Sequence, residues 1–371
     1  MSRVTSCDHC LRRGALVGQL APRIAGMLER PGRRASALLS LSDGALIEAA
    51  AGERRPAVDA AYRRFRPAAA RELLERSDCE AVCGHRDRYP EQLRNLTDPP
   101  NPLYVRGGVE RLWRLAAEPG VAIVGARQAS EYAREVAREM GRGLAAAGVT
   151  VISGLALGVD AASHRGAVAG GATAIAVLAC GPDYVYPRRH ARLYEQILER
   201  GVVVSELPPG TPPYQWSFPA RNRIMAALSK LVVVVEARES SGSLITVEFA
   251  GDLGREVVAV PGQVTARVAA GSNRLLHDGA GVVRGAEDVL DILFGVGNRP
   301  QVDNPLPPLD APLRLVLDAI EVRDSLQLAC GRAGLSAGGL RAALGRLEAL
   351  GLVRSDGLGG YERCATNGRA T

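Results

Sequence analysis

Val121-Ala-Ile-Val-Gly-Ala-Arg127, then the helix-compatible stretch Glu131–Ala147, then Val149-Thr-Val-Ile152, is the passage that decides the fold. Both short runs are apolar throughout rather than alternating. That is the pattern of strands buried on both faces, as in a parallel sheet. A glycine ends the first run, and a stretch long enough for four helical turns joins it to the second. The unit reads β-α-β. Working outward, the same kind of run recurs at Ala174-Ile-Ala-Val-Leu178, Val202-Val-Val204, Leu231-Val-Val-Val-Val235 and Val257-Val-Ala-Val260. Ala191–Arg200 and Arg221–Leu228 read as helices between them. Alternating β and α elements with right-handed crossovers predict an α/β fold. The expected architecture is an extended Rossmann-like, mainly parallel sheet with helices on both faces, over residues 95–294.

The flanks read differently. Residues 1–94 are mainly helix-compatible and Arg-rich, a helical N-terminal region. Residues 295–307 contain Gly-Asn-Arg-Pro and Asn-Pro-Leu-Pro-Pro and read as a linker. In 308–371 two helical patterns, Pro312–Val322 and Leu340–Leu350, precede a short strand, a Gly-rich turn (Gly357-Leu-Gly-Gly360) and Tyr361-Glu-Arg363. That is the outline of a winged helix, with a small helical domain as the plainer alternative. The recognition-helix position, Ser336–Leu350, carries only Arg341 and Arg346 as basic residues, so weak duplex binding is expected of it.

Composition excludes several functions. In 371 residues, no apolar run approaches the ~20 needed to span a bilayer. The N-terminus lacks the apolar core of a signal peptide, so a cytoplasmic protein without a membrane partner is expected. The only lysine is Lys230, and no Gly-rich run ends in Gly-Lys-Ser/Thr, which removes a Walker A loop. Residues 1–120 hold 20 Arg against 15 Asp plus Glu, but 121–294 hold 17 of each sign. An anion site in the middle of the chain must therefore come from placement.

Ligands of open parallel sheets bind at the carboxyl ends of strands, and there Gly, Ser and Arg converge. The loops offer Gly125, Arg127 and Ser130; Ser153 and Gly154; Arg188; and Ser241, Gly242 and Ser243. Backbone N–H groups near helix starts, with hydroxyls beside them, suit anions, and arginine supplies a planar fork for phosphate. The segment Tyr214-Gln-Trp-Ser-Phe218-Pro-Ala-Arg221-Asn222-Arg223 interleaves aromatics with arginines, a combination suited to single strands, where bases stack and arginines track phosphates. No Gly-x-Gly-x-x-Gly follows the first strand, and neither Gly-x-Ser-x-Gly nor His-Glu-x-x-His occurs. Asp160 and His164 read as capping and packing residues. Phosphate contacts thus outnumber catalytic groups, and no catalytic residue is expected.

These residues resemble the DprA/Smf (DNA-processing protein A) family. The resemblance rests on Val121–Arg127, Ser153-Gly-Leu-Ala-Leu-Gly-Val-Asp160, Gly181-Pro-Asp-Tyr-Val-Tyr-Pro187, Phe218-Pro-Ala-Arg-Asn-Arg-Ile224, Glu236-Ala-Arg-Glu-Ser-Ser-Gly-Ser-Leu-Ile-Thr246 and Val260-Pro-Gly262, in order and spacing over about residues 95–290. It implies a protein that binds and protects single-stranded DNA, forms homodimers, and helps load RecA recombinase during recombination and natural transformation. It implies phosphate contacts by Arg127 and Arg188, and places Phe218, Arg221 and Arg223 in the DNA-binding loop. Many members have Gly-Ser-Arg where this chain has Gly125-Ala-Arg127, and Ala-His where it has Ser163-His164. The alternative is a Rossmann-like nucleotide-processing enzyme such as a phosphoribohydrolase. Against it, Ser240-Ser-Gly-Ser-Leu-Ile-Thr246 stands where such an enzyme has Pro-Gly-Gly-x-Gly-Thr.

Cysteine usage leaves two readings open. Seven cysteines without an export signal point to reduced thiols or a metal. Cys7-Asp-His-Cys10 is a Cys-x-x-Cys pair, and Cys79 and Cys83, with His85 nearby, form a second group. One reading is a tetrahedral structural zinc on Cys7, Cys10, Cys79 and Cys83. The other is buried thiols and no required cofactor.

Overall fold

The computed structural model describes residues 4–28, 34–171, 174–298, 309–321, 325–350, 352–355 and 360–363. Among these, ten strands form one sheet: β1 (Val4–Thr5), β2 (Glu80–Val82), β3 (Leu103–Arg106), β4 (Gly120–Val124), β5 (Thr150–Ser153), β6 (Ala174–Val177), β7 (Val202–Ser205), β8 (Leu231–Val234), β9 (Glu256–Ala259) and β10 (Gly281–Val282). Their order is β1-β2-β3-β7-β6-β5-β4-β8-β9-β10. From β7 across to β10 every pairing is parallel. β3 runs antiparallel to both β7 and β2, and β1 pairs parallel with β2.

Strand periodicity explains the uniformly apolar runs. Along β4, Val121 and Ile123 face one core layer while Ala122 and Val124 face the other. The first layer is covered by the helices Glu131–Ala146, Val159–Ala169, Ala191–Arg200 and Ala286–Phe294. The second is covered by Val109–Ala117, Ser217–Leu228 and Leu244–Asp252. Because both faces are dry, neither can take a polar residue cheaply.

The central strand, β4, has β5 on one side and β8 on the other. The helix after β4 lies in the first layer, and the helix after β8 lies in the second. The chain thus leaves the carboxyl ends of β4 and β8 toward opposite faces, which opens a crevice between them. This is the topological switch point of an open α/β sheet.

The expected boundary at residue 94 falls inside a compact unit, Met1–Asn298. The N-terminal region is helical, with helices Asp8–Met27, Asp43–Ala51, Arg55–Arg63 and Pro67–Arg76. It also contributes β1 and β2 to the common sheet. Its own apolar cluster, with Leu20, Ile24, Leu46 and Ile47, closes over Leu207 and Trp216. The Trp216 indole N–H donates to the Ala21 carbonyl at 3.0 Å, fixing the start of the helix Ser217–Leu228.

The second unit is Arg299–Thr371. Helices Ala311–Glu321, Leu326–Arg332 and Ala337–Ala349 precede an antiparallel pair, Val353–Ser355 with Tyr361–Arg363. Its core includes Leu313, Val316, Leu317, Ile320, Leu344 and Leu347. Ser336 caps the third helix by accepting the Gly339 N–H at 3.1 Å. Residues 299–307 of the expected linker and 356–359 of the expected wing turn lie outside the described residues. Among those described, no helix is long and apolar enough to cross a membrane.

Candidate functional site

A cleft of about 850 Å³ opens at the switch point. Gly125, Ala126, Arg127 and Gln128 line it from the end of β4, and Arg238 with Ser240–Ser243 line it from beyond β8. Ala156, the buried Asp160, Tyr186, Gln215 and one flank of the helix Ser217–Leu228 also line it. The exposed Arg127 guanidinium sits 4.4 Å from the centre of the Phe218 ring. Tyr186 meets that ring at 6.0 Å with a 56° tilt. A cation and two aromatic faces therefore stand together at the opening.

Helical spacing decides which residues of Phe218–Arg223 reach the cleft. Phe218, Arg221, Asn222 and Met225 stand at i, i+3, i+4 and i+7, one face of a helix. Arg223, two residues beyond Arg221, points to the opposite side. The expectation that Arg223 lines the groove is corrected here: its side chain is 1 % exposed. It makes a two-pronged bond to Glu206, at 2.8 Å for each prong, and pairs with Asp98 at 2.9 Å. Burial opposes its charge, but Glu206 and Asp98 outweigh this and hold the guanidinium more firmly protonated than usual.

Arg221 reaches the cleft but has little freedom. It donates to the carbonyls of Gly154, at 2.5 Å, and Val177, and pairs with Asp160 at 3.6 Å. It thereby braces the ends of β5 and β6. Burial pushes its pKa down, and burial pushes that of Asp160 up against the pull of Arg221. Asp160 also accepts the N–H groups of Gly154 and Ala156, at 3.2 and 3.3 Å. A Cβ on Gly154 would overlap the Arg221 guanidinium, so glycine is needed there for packing. His164, on the helix Val159–Ala169 whose first turn holds Asp160, is wholly buried, and burial lowers its pKa to about 4.

The other expected contacts divide. Asn222 donates to the Gly242 carbonyl at 3.0 Å, and Ser241 and Ser243 bond each other at 2.7 Å, so the Ser241–Ser243 loop is held at the rim. Ser130 turns away: it donates to Glu236 at 2.6 Å and caps its helix by accepting the Ala133 N–H. Ser153 is buried, donating to the Ile123 carbonyl at 2.7 Å. Arg188 is exposed in a short turn, Arg188–His190, beyond the cleft lining. Tyr186 and Arg238 were not singled out as contacts from the sequence. Both stand in loops already quoted, Arg238 four residues past β8 and Tyr186 in the longer loop that follows β6.

The cysteines also regroup. Cys7, Cys10, Cys83 and His85 converge, with one ligand atom from each within 4.8 Å of the others. Cys79 is elsewhere, buried among Leu11, Leu74, Ala81 and Tyr104.

The family described as DNA recombination-mediator protein A matches residues 80–294. Protein Smf of Synechocystis is 32% identical over 309 residues, covering 74% of this chain and 78% of its own. DNA processing protein DprA of Bacillus subtilis is 36% identical over 206 residues, covering 56% and 68%. Among solved structures, DNA processing protein A of Streptococcus pneumoniae aligns with a TM-score of 0.59 and 31% identity, over 76% of this chain and 95% of its own. That of Helicobacter pylori, solved to explain its single-stranded DNA binding mode, aligns with a TM-score of 0.52 and 28% identity, over 58% and 95%. With the switch-point cleft lined by the same motifs that first suggested the kinship, the chain belongs to the DNA recombination-mediator protein A family, that of the DprA and Smf proteins.

Proposed function

We propose that this protein binds single-stranded DNA across the switch-point cleft and passes it to a recombinase, without chemistry on the strand. The observation that carries the reading is the exposed Arg127 guanidinium resting 4.4 Å from the Phe218 ring centre. Single strands are held by stacked bases and a tracked backbone, and here one group of side chains offers both. Arg127, Arg238 and, further along the same edge, Arg188 take phosphates. Phe218 and Tyr186 take bases, and Gly242, with open space beside it in the loop 241–243, lets backbone approach. Arg221 and Asn222 position these loops. The single-stranded DNA binding of the Helicobacter relative supports the reading. Delivery to RecA, protection of the strand and a homodimer rest on the family resemblance.

A nucleotide-processing enzyme would need a free carboxylate base. Among the described residues Asp160 is the acidic one lining the cleft, and its Oδ2 is already engaged by Arg221 and by the N–H groups of Gly154 and Ala156. The C-terminal unit reads as a winged helix that contributes little to duplex binding. Of its helix's two arginines, Arg346 already pairs with Asp310 at 3.4 Å.

The test is Arg127→Ala beside Arg188→Ala, on a short oligothymidine across salt concentrations. Each should weaken binding about tenfold, the scale of a charged hydrogen bond. Each should also flatten the salt dependence by about 0.7, the value for one phosphate on a single strand. Unchanged affinity and slope in both folded variants would sink the proposal.

A further inference from the structure

We propose that Cys7, Cys10, Cys83 and His85 hold a structural zinc ion, which pins the N-terminal strand and helix to the edge of the sheet. The argument begins with which residues the fold brings together. Cys7 is the N-cap of the helix Asp8–Met27 and Cys10 lies in its first turn. Cys83 and His85 leave the end of β2, more than 70 residues later, around a turn at Gly84. Two side chains hold that turn. The Gly84 N–H donates to Asn101 Oδ1 at 2.7 Å, and Arg94 donates to the carbonyls of Gly84 and, at 2.9 Å, Arg86. The ligand groups thus sit on fixed backbone.

The spacing matches one ion. Tetrahedral zinc, with bonds of about 2.3 Å to sulfur and 2.0–2.1 Å to nitrogen, sets a sulfur and a nitrogen ligand about 3.6 Å apart. His85 Nδ1 lies 3.5 Å from Cys7 Sγ and 3.4 Å from Cys10 Sγ. A disulfide would use two of the sulfurs and leave the third thiol and the imidazole crowded against it. Zinc uses all four groups. The Cys7 N–H also donates to Cys83 Sγ at 3.4 Å, the kind of outer contact that orients a thiolate ligand. The N-terminus of a 20-residue helix favours the negative charge that thiolates bring.

With four protein ligands the site is closed, so its role is structural and not catalytic. It secures the pairing of Val4 with Ala81 and of Thr5 with Val82 and closes a long loop, adding to the apolar contacts that Leu11 makes with Leu74, Ala81 and Tyr104.

The test uses the full chain, purified without chelator and analysed for metals. The expected content is about one zinc per chain, bound as part of the fold. Cys83→Ser and His85→Ala should each lower zinc affinity by about tenfold or more, whereas Cys79→Ser should leave it unchanged. His85→Cys, which restores a fourth ligand, should keep the zinc and so separates ligation from general damage. Chelation should speed hydrogen exchange in residues 4–28 and 80–85 and leave 120–294 protected. A wild-type chain that neither carries zinc nor takes it up on titration overturns the proposal. So does a content indifferent to both Cys83→Ser and His85→Ala, or an intact mass showing a Cys7–Cys10 disulfide.

Discussion

Arg223→Ala should lose about 3–5 kcal/mol of folding stability, the cost of stripping one partner from a buried ion pair. Removing the guanidinium leaves the carboxylates of Asp98 and Glu206, which are 6 and 10 % exposed, facing each other without a cation. Arg223→Lys should recover only part of the loss, because an ammonium cannot make the two-pronged bond to Glu206. The triple change R223M/D98N/E206Q should be more stable than Arg223→Ala, since it removes the stranded charge as well. The pH dependence has a definite sign. Burial already holds the Asp98 carboxyl above its usual range, against the pull of Arg223. A carboxyl whose pKa is higher in the folded state favours folding more as pH falls. Without Arg223 that elevation grows, so the deficit of the variant should narrow between about pH 7 and pH 5. Urea unfolding at several pH values checks this. A stable Arg223→Ala protein whose only defect is DNA binding would mean that the side chain faces the cleft after all.

Phe218→Ala should weaken single-strand binding by about 1–3 kcal/mol, the measured range for one base–aromatic stack. One face of the ring is already met by Arg127. The ring therefore also holds the cation in place, with a contact of about 0.5–1 kcal/mol at an exposed site. Truncation should remove the stacking surface and loosen Arg127 together. Phe218→Leu keeps bulk under Arg127 but offers no π face, and should fall between wild type and alanine. The salt slope should change little in either variant, in contrast to Arg127→Ala. Combining Phe218→Ala with Arg127→Ala should cost less than the sum of the two, because residues in contact do not act independently. Fluorescence anisotropy on oligothymidine gives all four numbers, and strict additivity would show that the ring and the cation work separately.

The sequence made the parallel sheet legible because every strand from β4 to β9 is an apolar, β-branched run between helical stretches. It hid β1, β2, β3 and β10 for an equally physical reason. β1, β2 and β10 are only two or three residues long, too short for a run to stand out, and charged Glu80 and Arg106 interrupt the apolar pattern of β2 and β3. The site was readable as a set of loops, but the helix Ser217–Leu228 begins four residues earlier than its apolar pattern indicates. Read as a loop, Arg221 and Arg223 look equivalent. Read as a helix, they lie on opposite faces, and the partners that claim Arg223 come from residues 98 and 206, which no local pattern announces. The cysteines teach the same lesson. Cys79 and Cys83 flank β2, and four residues of extended chain span about 13 Å, too far for one ion. Two residues around a turn bring His85 within reach instead.

Both outermost described strands of the sheet, β1 and β10, are two residues long. A long, flat border would offer a row of unpaired amide and carbonyl groups on which any other chain could continue the sheet, and short border strands are one way proteins avoid such templating. Under the proposed binding of single strands, copies gathered on one strand would reach high local concentration, where stray strand-to-strand growth would be most damaging. Borders this brief leave such copies little backbone on which to extend one another's sheet, so their contacts would fall to helical faces and loops, where side chains decide who binds whom. Crowding can then yield a defined complex rather than an open-ended stack.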